Sequence, residues 1–240
     1  MKRKLTKAAS NAKLAKDARL LAFILHFSAA RSAGVGNVCP YASAECVALC
    51  LDESGRAMIF PAIREARKEK TREFFRDRIA FLKGLDREIF NGIKLAAKKG
   101  KKAAFRCDGT SDLGLGEEFA RKYETAQFYD YTKIPHRMEK FLRGEMPKNY
   151  HLTFSFSGHN LADCLRFLAM GGNVAVIFAR PIGAKYVRPE QWNGFFTFDA
   201  DESDNRFMDE KRADGKGRVA ALKAKGKARK VKGNAFVVGS

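Results

Sequence analysis

The chain predicts an α/β fold of parallel βα units, and three observations carry that expectation. Between Lys102 and Pro181 an apolar run, a polar cluster and a helix-like stretch recur four times, in AAFRCDGTSD, AQFYDYTK, HLTFSFSGHN and VAVIFARP. Phe105, Phe128, Phe154 and Ile177 mark these runs at intervals of 23, 26 and 23 residues, enough for a strand, a helix and two loops. Each run ends in polar residues, at the strand ends where parallel sheets bind ligands. Four consecutive units favour a TIM-like or partial barrel, with a doubly wound sheet as the alternative.

Taken in order, residues 1–19 read as a basic N-terminal arm, 20–210 as a single α/β domain and 211–240 as a basic C-terminal segment. LLAFILHFS at 20–28 predicts a strand, and a Gly34–Gly36 turn leads into a cysteine loop. From Phe60 to Gly100 apolar residues recur at helical spacing, with Pro61 suited to a first turn and Gly84 or Gly92 as candidate breaks. Helices are expected at 115–123, 137–145 and 161–170, and a fifth strand at 195–199. VAALKA at 219–224 is a short strand or helix, and a last apolar run, NAFVVG, follows.

The chain has 240 residues, 45% of them hydrophobic and twenty of them Phe, which excludes a disordered protein and allows a full core. Its net charge of +19 is unevenly placed. Residues 1–20 carry +6 and 211–232 carry +9, leaving only +4 between them. Basic ends on a near-neutral body are the footprint of a nucleic-acid binder, DNA ahead of RNA, since each neutralised phosphate releases a counterion. In the C-terminal segment the expected contacts are Lys216, Arg218, Lys223, Lys225, Lys227, Arg229, Lys230 and Lys232. The bland alternative is a solvated surface of lysines. A membrane partner is not expected: no run reaches spanning length, and the glycine-punctuated tail has no wide apolar face. The basic start and the run LLAFILHFSAA only superficially resemble a signal peptide, because the apolar core is short and holds His26.

Five cysteines in such a chain read as reduced thiols of a cytoplasmic protein. Cys39, Cys46 and Cys50 cluster in NVCPYASAECVALC and are candidate ligands for zinc or an iron–sulfur cluster. Their spacing matches neither the radical-SAM cysteine motif nor a zinc ribbon, so small residues packed in a tight loop are the competing reading. A cluster there would support a rival enzyme, an iron–sulfur protein on a radical-SAM-like partial barrel.

The strand ends hold Asp108, Asp112 and Asp130, which converge if their strands are neighbours. Paired carboxylates can divide labour between nucleophile and acid, so these three are the candidate catalytic residues. Gly109, Ser111, Tyr129, Tyr131, Lys133 and His159 are candidate substrate contacts: a sharp turn beside a flat ligand, hydrogen-bonding groups, stacking rings and a phosphate-fixing cation. Tyr129 and Tyr131 have the opposite side-chain phase to Asp130. GTSD is also an ordinary helix-capping sequence, and YDYTK an ordinary strand end. The acidic string DADESD could bind a cation through Asp199, Asp201 or Asp204, but pairing with the basic tail is favoured, because no EF-hand spacing is present.

The cysteine loop running into SGR, then GTSD, FYDYTK, YHLTFSFS and DESDNRFMD, in this order across residues 35–230, resembles a family of bacteriophage proteins. That resemblance implies a phage protein acting in the cytoplasm of the infected host. FYDYTKIPHR is also similar to the strand-end segment bearing the aspartate nucleophile of guanine transglycosylases, whose phage relatives insert 7-deazaguanines into DNA. The similarity implies Asp130 as nucleophile, Asp108 or Asp112 as base-binding or proton-transfer group, and a small 7-deazapurine base as co-substrate. The two aspartate motifs stand only 22 residues apart, closer than in the tRNA enzymes, and those enzymes' late zinc motif is absent. The alternative outside enzymes is a phage DNA-binding or host-takeover protein.

Overall fold

The computed structural model describes residues 4–7, 18–50, 56–180, 183 and 185–239. Ten strands form a mostly parallel sheet: β1 (Leu5–Lys7), β2 (Leu20–Leu25), β3 (Lys102–Arg106), β4 (Gln127–Thr132), β5 (Tyr150–Ser155), β6 (Val174–Phe178), β7 (Gln191–Trp192), β8 (Phe195–Asp199), β9 (Val219–Lys223) and β10 (Val237–Val238). They run β1-β2-β3-β4-β5-β6-β9-β8-β7, with β10 beside β6. The pairs β2–β3, β3–β4, β5–β6, β6–β9, β8–β9 and β6–β10 are parallel. The four expected ladder strands are therefore β3 to β6, neighbours in sequence order. The sheet does not close among the described residues. Its ends carry short antiparallel pairs, β1 on β2 and β7 on β8, in place of the pairing that a closed TIM-like barrel would need.

The helices are α1 (Ala44–Ala48), α2 (Arg56–Ile59), α3 (Pro61–Arg76), α4 (Arg78–Lys98), α5 (Leu115–Lys122), α6 (Pro135–Leu142) and α7 (Leu161–Ala169). The expected break at Gly84 or Gly92 falls instead at Asp77, whose carboxylate accepts from the Ala80 N–H at 2.9 Å and caps α4. Both glycines lie buried inside α4.

The chain divides into two compact units, Met1–Pro40 with Phe60–Asp130 and Met146–His151, and Tyr41–Ile59 with Tyr131–Glu145 and Leu152–Ser240. In the first unit Phe23, Phe105 and Phe128 stack across β2, β3 and β4, with ring centroids 5.1 and 5.2 Å apart. α4 lies on this stack so closely that a Cβ on Gly92 would stand 3.0 Å from Phe105 and 3.2 Å from Phe23. Phe27, Phe74 and Phe81 extend the cluster. Each buried phenylalanine contributes roughly 2–3 kcal/mol. Of the expected basic arm, residues 1–3 and 8–17 lie outside the described residues. Leu5–Lys7 form β1, and the fully buried Lys4 pairs with Glu73 at 2.7 Å above the Phe81 ring.

In the second unit β6, β8, β9 and β10 are joined by Ala175, Ala200 and Ala220 on one side and by Ala224, Ala228, Phe236 and Val237 on another. VAALKA is thus the strand β9, inserted between β6 and β8. The acidic string does pair with the basic tail: Lys225 meets Asp201 at 2.6 Å and Lys223 meets Asp199 at 3.7 Å.

Candidate functional site

Asp108 follows β3 and is 1% exposed. Its Oδ1 accepts from the Ser111 hydroxyl at 2.6 Å and the Leu113 N–H at 3.0 Å, and its Oδ2 from the Gly114 N–H at 2.8 Å. These bonds wrap residues 109–114 around the carboxylate. The loop then hands over to α5 at Gly114, whose φ of 75° is left-handed and whose cap uses no side chain. GTSD therefore does not cap the helix in the usual way. Asp108, one residue upstream of it, organises the whole turn. On its other flank the turn is tied to the end of β2, by Gly109 N–H to the Leu25 carbonyl at 3.0 Å and the Thr110 hydroxyl to the Phe27 carbonyl at 2.6 Å.

Asp130 lies one strand over and is likewise 1% exposed. Its Oδ1 accepts from the Asp108 backbone N–H at 2.7 Å, and its Oδ2 from the Tyr150 hydroxyl at 3.0 Å. Of the three aspartates expected to converge, this bond joins Asp108 and Asp130. Asp130 points towards α5, since a Cβ on Gly116 would stand 2.6 Å from its Oδ2 and 2.9 Å from the Tyr150 ring. Immediately before Asp108 in sequence, Cys107 is fully buried, and burial, then the charges of Asp130 and Asp108, push its thiol well above the ordinary range. It is not a thiolate nucleophile. Asp112 is 7% exposed, and its N–H donates to the Val38 carbonyl at 2.8 Å.

Strand alternation puts Tyr129 on the sheet face opposite Asp130, together with Arg106 and His151, whose neighbours Phe105 and Tyr150 belong to the Asp130 face. Tyr150 was missed by sequence reasoning. Its signal was a tyrosine opening the strand YHLTFS, with its hydroxyl free to reach a neighbouring strand end. Arg106 and His151 were also missed, although a charged residue in the alternate phase of a buried strand is a visible mark.

Tyr131, Lys133 and His159 belong to the second unit. Lys133 donates to the Ser155 hydroxyl at 3.3 Å, and His159 Nε2 lies 3.0 Å from Glu45 Oε2. A backbone hydrogen bond, then the His159 contact, lowers the Glu45 carboxyl. Of the three clustered cysteines, Cys39 donates its thiol to the Thr110 carbonyl at 3.6 Å, while Cys46 packs against the Phe236 cluster. Among the described residues no three His, Cys, Asp or Glu side chains come together as metal ligands. The basic residues of the tail divide into two sets. Lys223, Lys225 and Arg218 meet Asp199, Asp201 and Glu210, whereas Lys216, Lys227, Arg229, Lys230 and Lys232 are exposed.

An open, mostly parallel α/β sheet with hydrogen-bonded carboxylates at adjacent strand ends is the class of protein these features define. A family model described as Gene product 88 matches residues 1–236, and the chain belongs to that family of phage gene products. No curated protein and no solved structure matches it. The family match carries no likeness to guanine transglycosylases, so that resemblance rests on the motif residues alone. Among the described residues no helix is long and apolar enough to cross a membrane.

Proposed function

We propose that this protein modifies nucleic acid by base exchange of the guanine-transglycosylase kind, acting in the infected cell and on DNA ahead of RNA. The observation that supports it is the bonded pair Asp108–Asp130 at the carboxyl ends of β3 and β4, the edge where parallel sheets do chemistry. Asp130, held by two donors, is the nucleophile. Its carboxylate oxygen bonds to the anomeric carbon of an extruded guanosine as the C1′–N9 bond breaks, and the electron pair leaves with the purine. Asp112 protonates the departing guanine and then takes the ring N–H proton of the incoming 7-deazaguanine, which displaces Asp130 from C1′. Asp108 positions the loop that carries Asp112. The basic tail supplies affinity for the strand.

A second reading is favoured by one observation: Asp130 is 1% exposed and closed in by Gly116 and Tyr150. In that case the aspartates are a framework, and the protein binds nucleic acid without chemistry. Mass spectrometry of nucleosides from the DNA of cells expressing the protein, with a 7-deazaguanine supplied, separates the two. Base exchange predicts a modified nucleoside that disappears in Asp130→Asn and falls at least a hundredfold in Asp112→Asn, both variants remaining folded. Absence of any modified nucleoside with the wild-type protein discards the transglycosylase reading.

A further inference from the structure

The outer face of α4 carries charge of one sign along its length. With about 3.6 residues per turn, Lys83, Arg87, Phe90, Lys94 and Lys98 fall on one side of the helix, and all are exposed. Phe81, Leu85, Ile89, Gly92 and Ala96 fall on the other side and are buried. A rise of about 1.5 Å per residue makes the row from Lys83 to Lys98 roughly 22 Å long.

The helix's own carboxylates are committed away from this face. Asp86 holds Lys122 of α5 at 2.7 Å, and Glu88 accepts the N–H groups of Lys4 and Leu5, each at 2.8 Å. Among the described residues Lys83, Lys94 and Lys98 meet no carboxylate. On α3, by contrast, Glu65 pairs with Lys68 and Glu69 with Arg72, one turn apart. Like charges four residues apart, as in Lys83 with Arg87 and Lys94 with Lys98, weaken a helix. The helix dipole rewards Lys98 in the last turn, but its effect fades before Lys94 and Lys83. Folding alone does not account for the row. In its middle stands Phe90, 50% exposed, with the Lys94 Nζ 5.2 Å from the ring centroid.

We propose that this face of α4 binds a single strand of nucleic acid, with Lys83, Lys94 and Lys98 on its phosphates and Phe90 stacked under an unpaired base. A row of cations suits a polymer of regularly spaced anions, and every base has a flat face for the ring. An anionic membrane fits less well. An interfacial helix needs a wide apolar face, whereas Ile79 and Phe90 are the only large apolar side chains that α4 exposes. The face belongs to the first unit and the basic tail to the second. It needs only a charged strand, so it stands or falls apart from base-exchange chemistry.

The test is fluorescence anisotropy of the full-length protein with a 12-nucleotide oligothymidylate and a 12-base-pair duplex, from 50 to 300 mM salt. Lys83→Gln/Lys94→Gln/Lys98→Gln, all at exposed positions, should keep the parent Tm and bind the single strand roughly tenfold more weakly at 50 mM salt. Its log–log salt slope should be flatter by up to about 2. Phe90→Leu should cost about fivefold on the single strand and nothing on the duplex, whose bases are already stacked. Phe90→Trp should restore the affinity, and the strand should quench its emission beyond any change seen with the lone native Trp192. No binding of the single strand by the parent, the parent's slope in the triple variant, or the parent's affinity in Phe90→Leu overturns the proposal. An unchanged slope together with lost binding to phosphatidylserine vesicles would overturn it in favour of a membrane surface.

Discussion

Asp209 is a carboxylate whose surroundings work against its charge. Burial pushes it up to about 6 despite the Arg206 and Arg218 charges, and the Arg206 Nε–Asp209 Oδ2 contact, at 3.5 Å, is an ion pair without a hydrogen bond. A carboxyl with a folded value above its unfolded one binds its proton more tightly when folded. Its contribution is therefore greatest below the unfolded value near 3.8 and is lost as pH rises through about 6. The span corresponds to at most about 3 kcal/mol. Urea unfolding between pH 4 and 7 should show Asp209→Asn with a flatter profile than the parent, the two curves diverging most between pH 4 and 6; parallel curves would show that Asp209 does not titrate in that window. Residues like this one mark the limit of what sequence can say about a site. Asp108, Asp112 and Asp130 are readable as candidates because carboxylates cluster after apolar runs. Their roles are not readable, because those depend on which donors the loop 109–114 turns inward. Tyr150 lies twenty residues beyond Asp130, and only the placing of β5 beside β4 brings its hydroxyl there.

At the scale of elements, α4 shows how packing overrides local preference. An exposed helix gains about 0.5–1 kcal/mol when glycine becomes alanine. Gly92 faces the Phe23–Phe105–Phe128 stack, where an added methyl would stand 3.0 Å from Phe105. The rings are held on both sides and cannot give way, so overpacking should win. Gly92→Ala is expected to lower stability by about 1–2 kcal/mol, read as a lower urea midpoint with unchanged slope. A stabilised variant would show that the stack yields. The same packing explains why the helix break was misplaced in the sequence reading: glycine normally interrupts helices, but here it admits a ring, and the break belongs to Asp77. Strands β3 to β6 were legible because apolar runs and a constant interval survive in any parallel sheet. β1 was not, since three residues in a lysine-rich stretch carry no periodicity, and its place is set by β2 and by Glu88, which accepts the N–H groups of Lys4 and Leu5.

For the molecule as a whole, charge and fold overlap in the C-terminal segment, and this decides how its role can be measured. The basic tail expected from composition is not a free appendage: Val219–Lys223 is an inner strand of the sheet, and Val237–Val238 pairs with β6. Deleting residues 211–240 would remove two strands and confound binding with unfolding. Charge substitution avoids this. Lys227, Arg229, Lys230 and Lys232 are exposed, whereas Lys223 and Lys225 meet Asp199 and Asp201 and are already partly neutralised. If the tail contacts phosphates, each exposed cation engaged releases about one counterion, and log affinity falls against log salt with a slope of roughly −0.7 to −0.9 per contact. Converting Lys227, Arg229, Lys230 and Lys232 to glutamine should therefore flatten the slope by up to about 3.6 and weaken binding most at low salt. Converting Lys223 and Lys225 should change it by less than about 1 while lowering stability through the unpaired aspartates. Fluorescence anisotropy with single-stranded and duplex oligonucleotides from 50 to 300 mM salt reads both quantities. Equal slopes for the parent and the fourfold variant would mean that the exposed cations face solvent, and that affinity for nucleic acid, if measured, resides elsewhere on the chain.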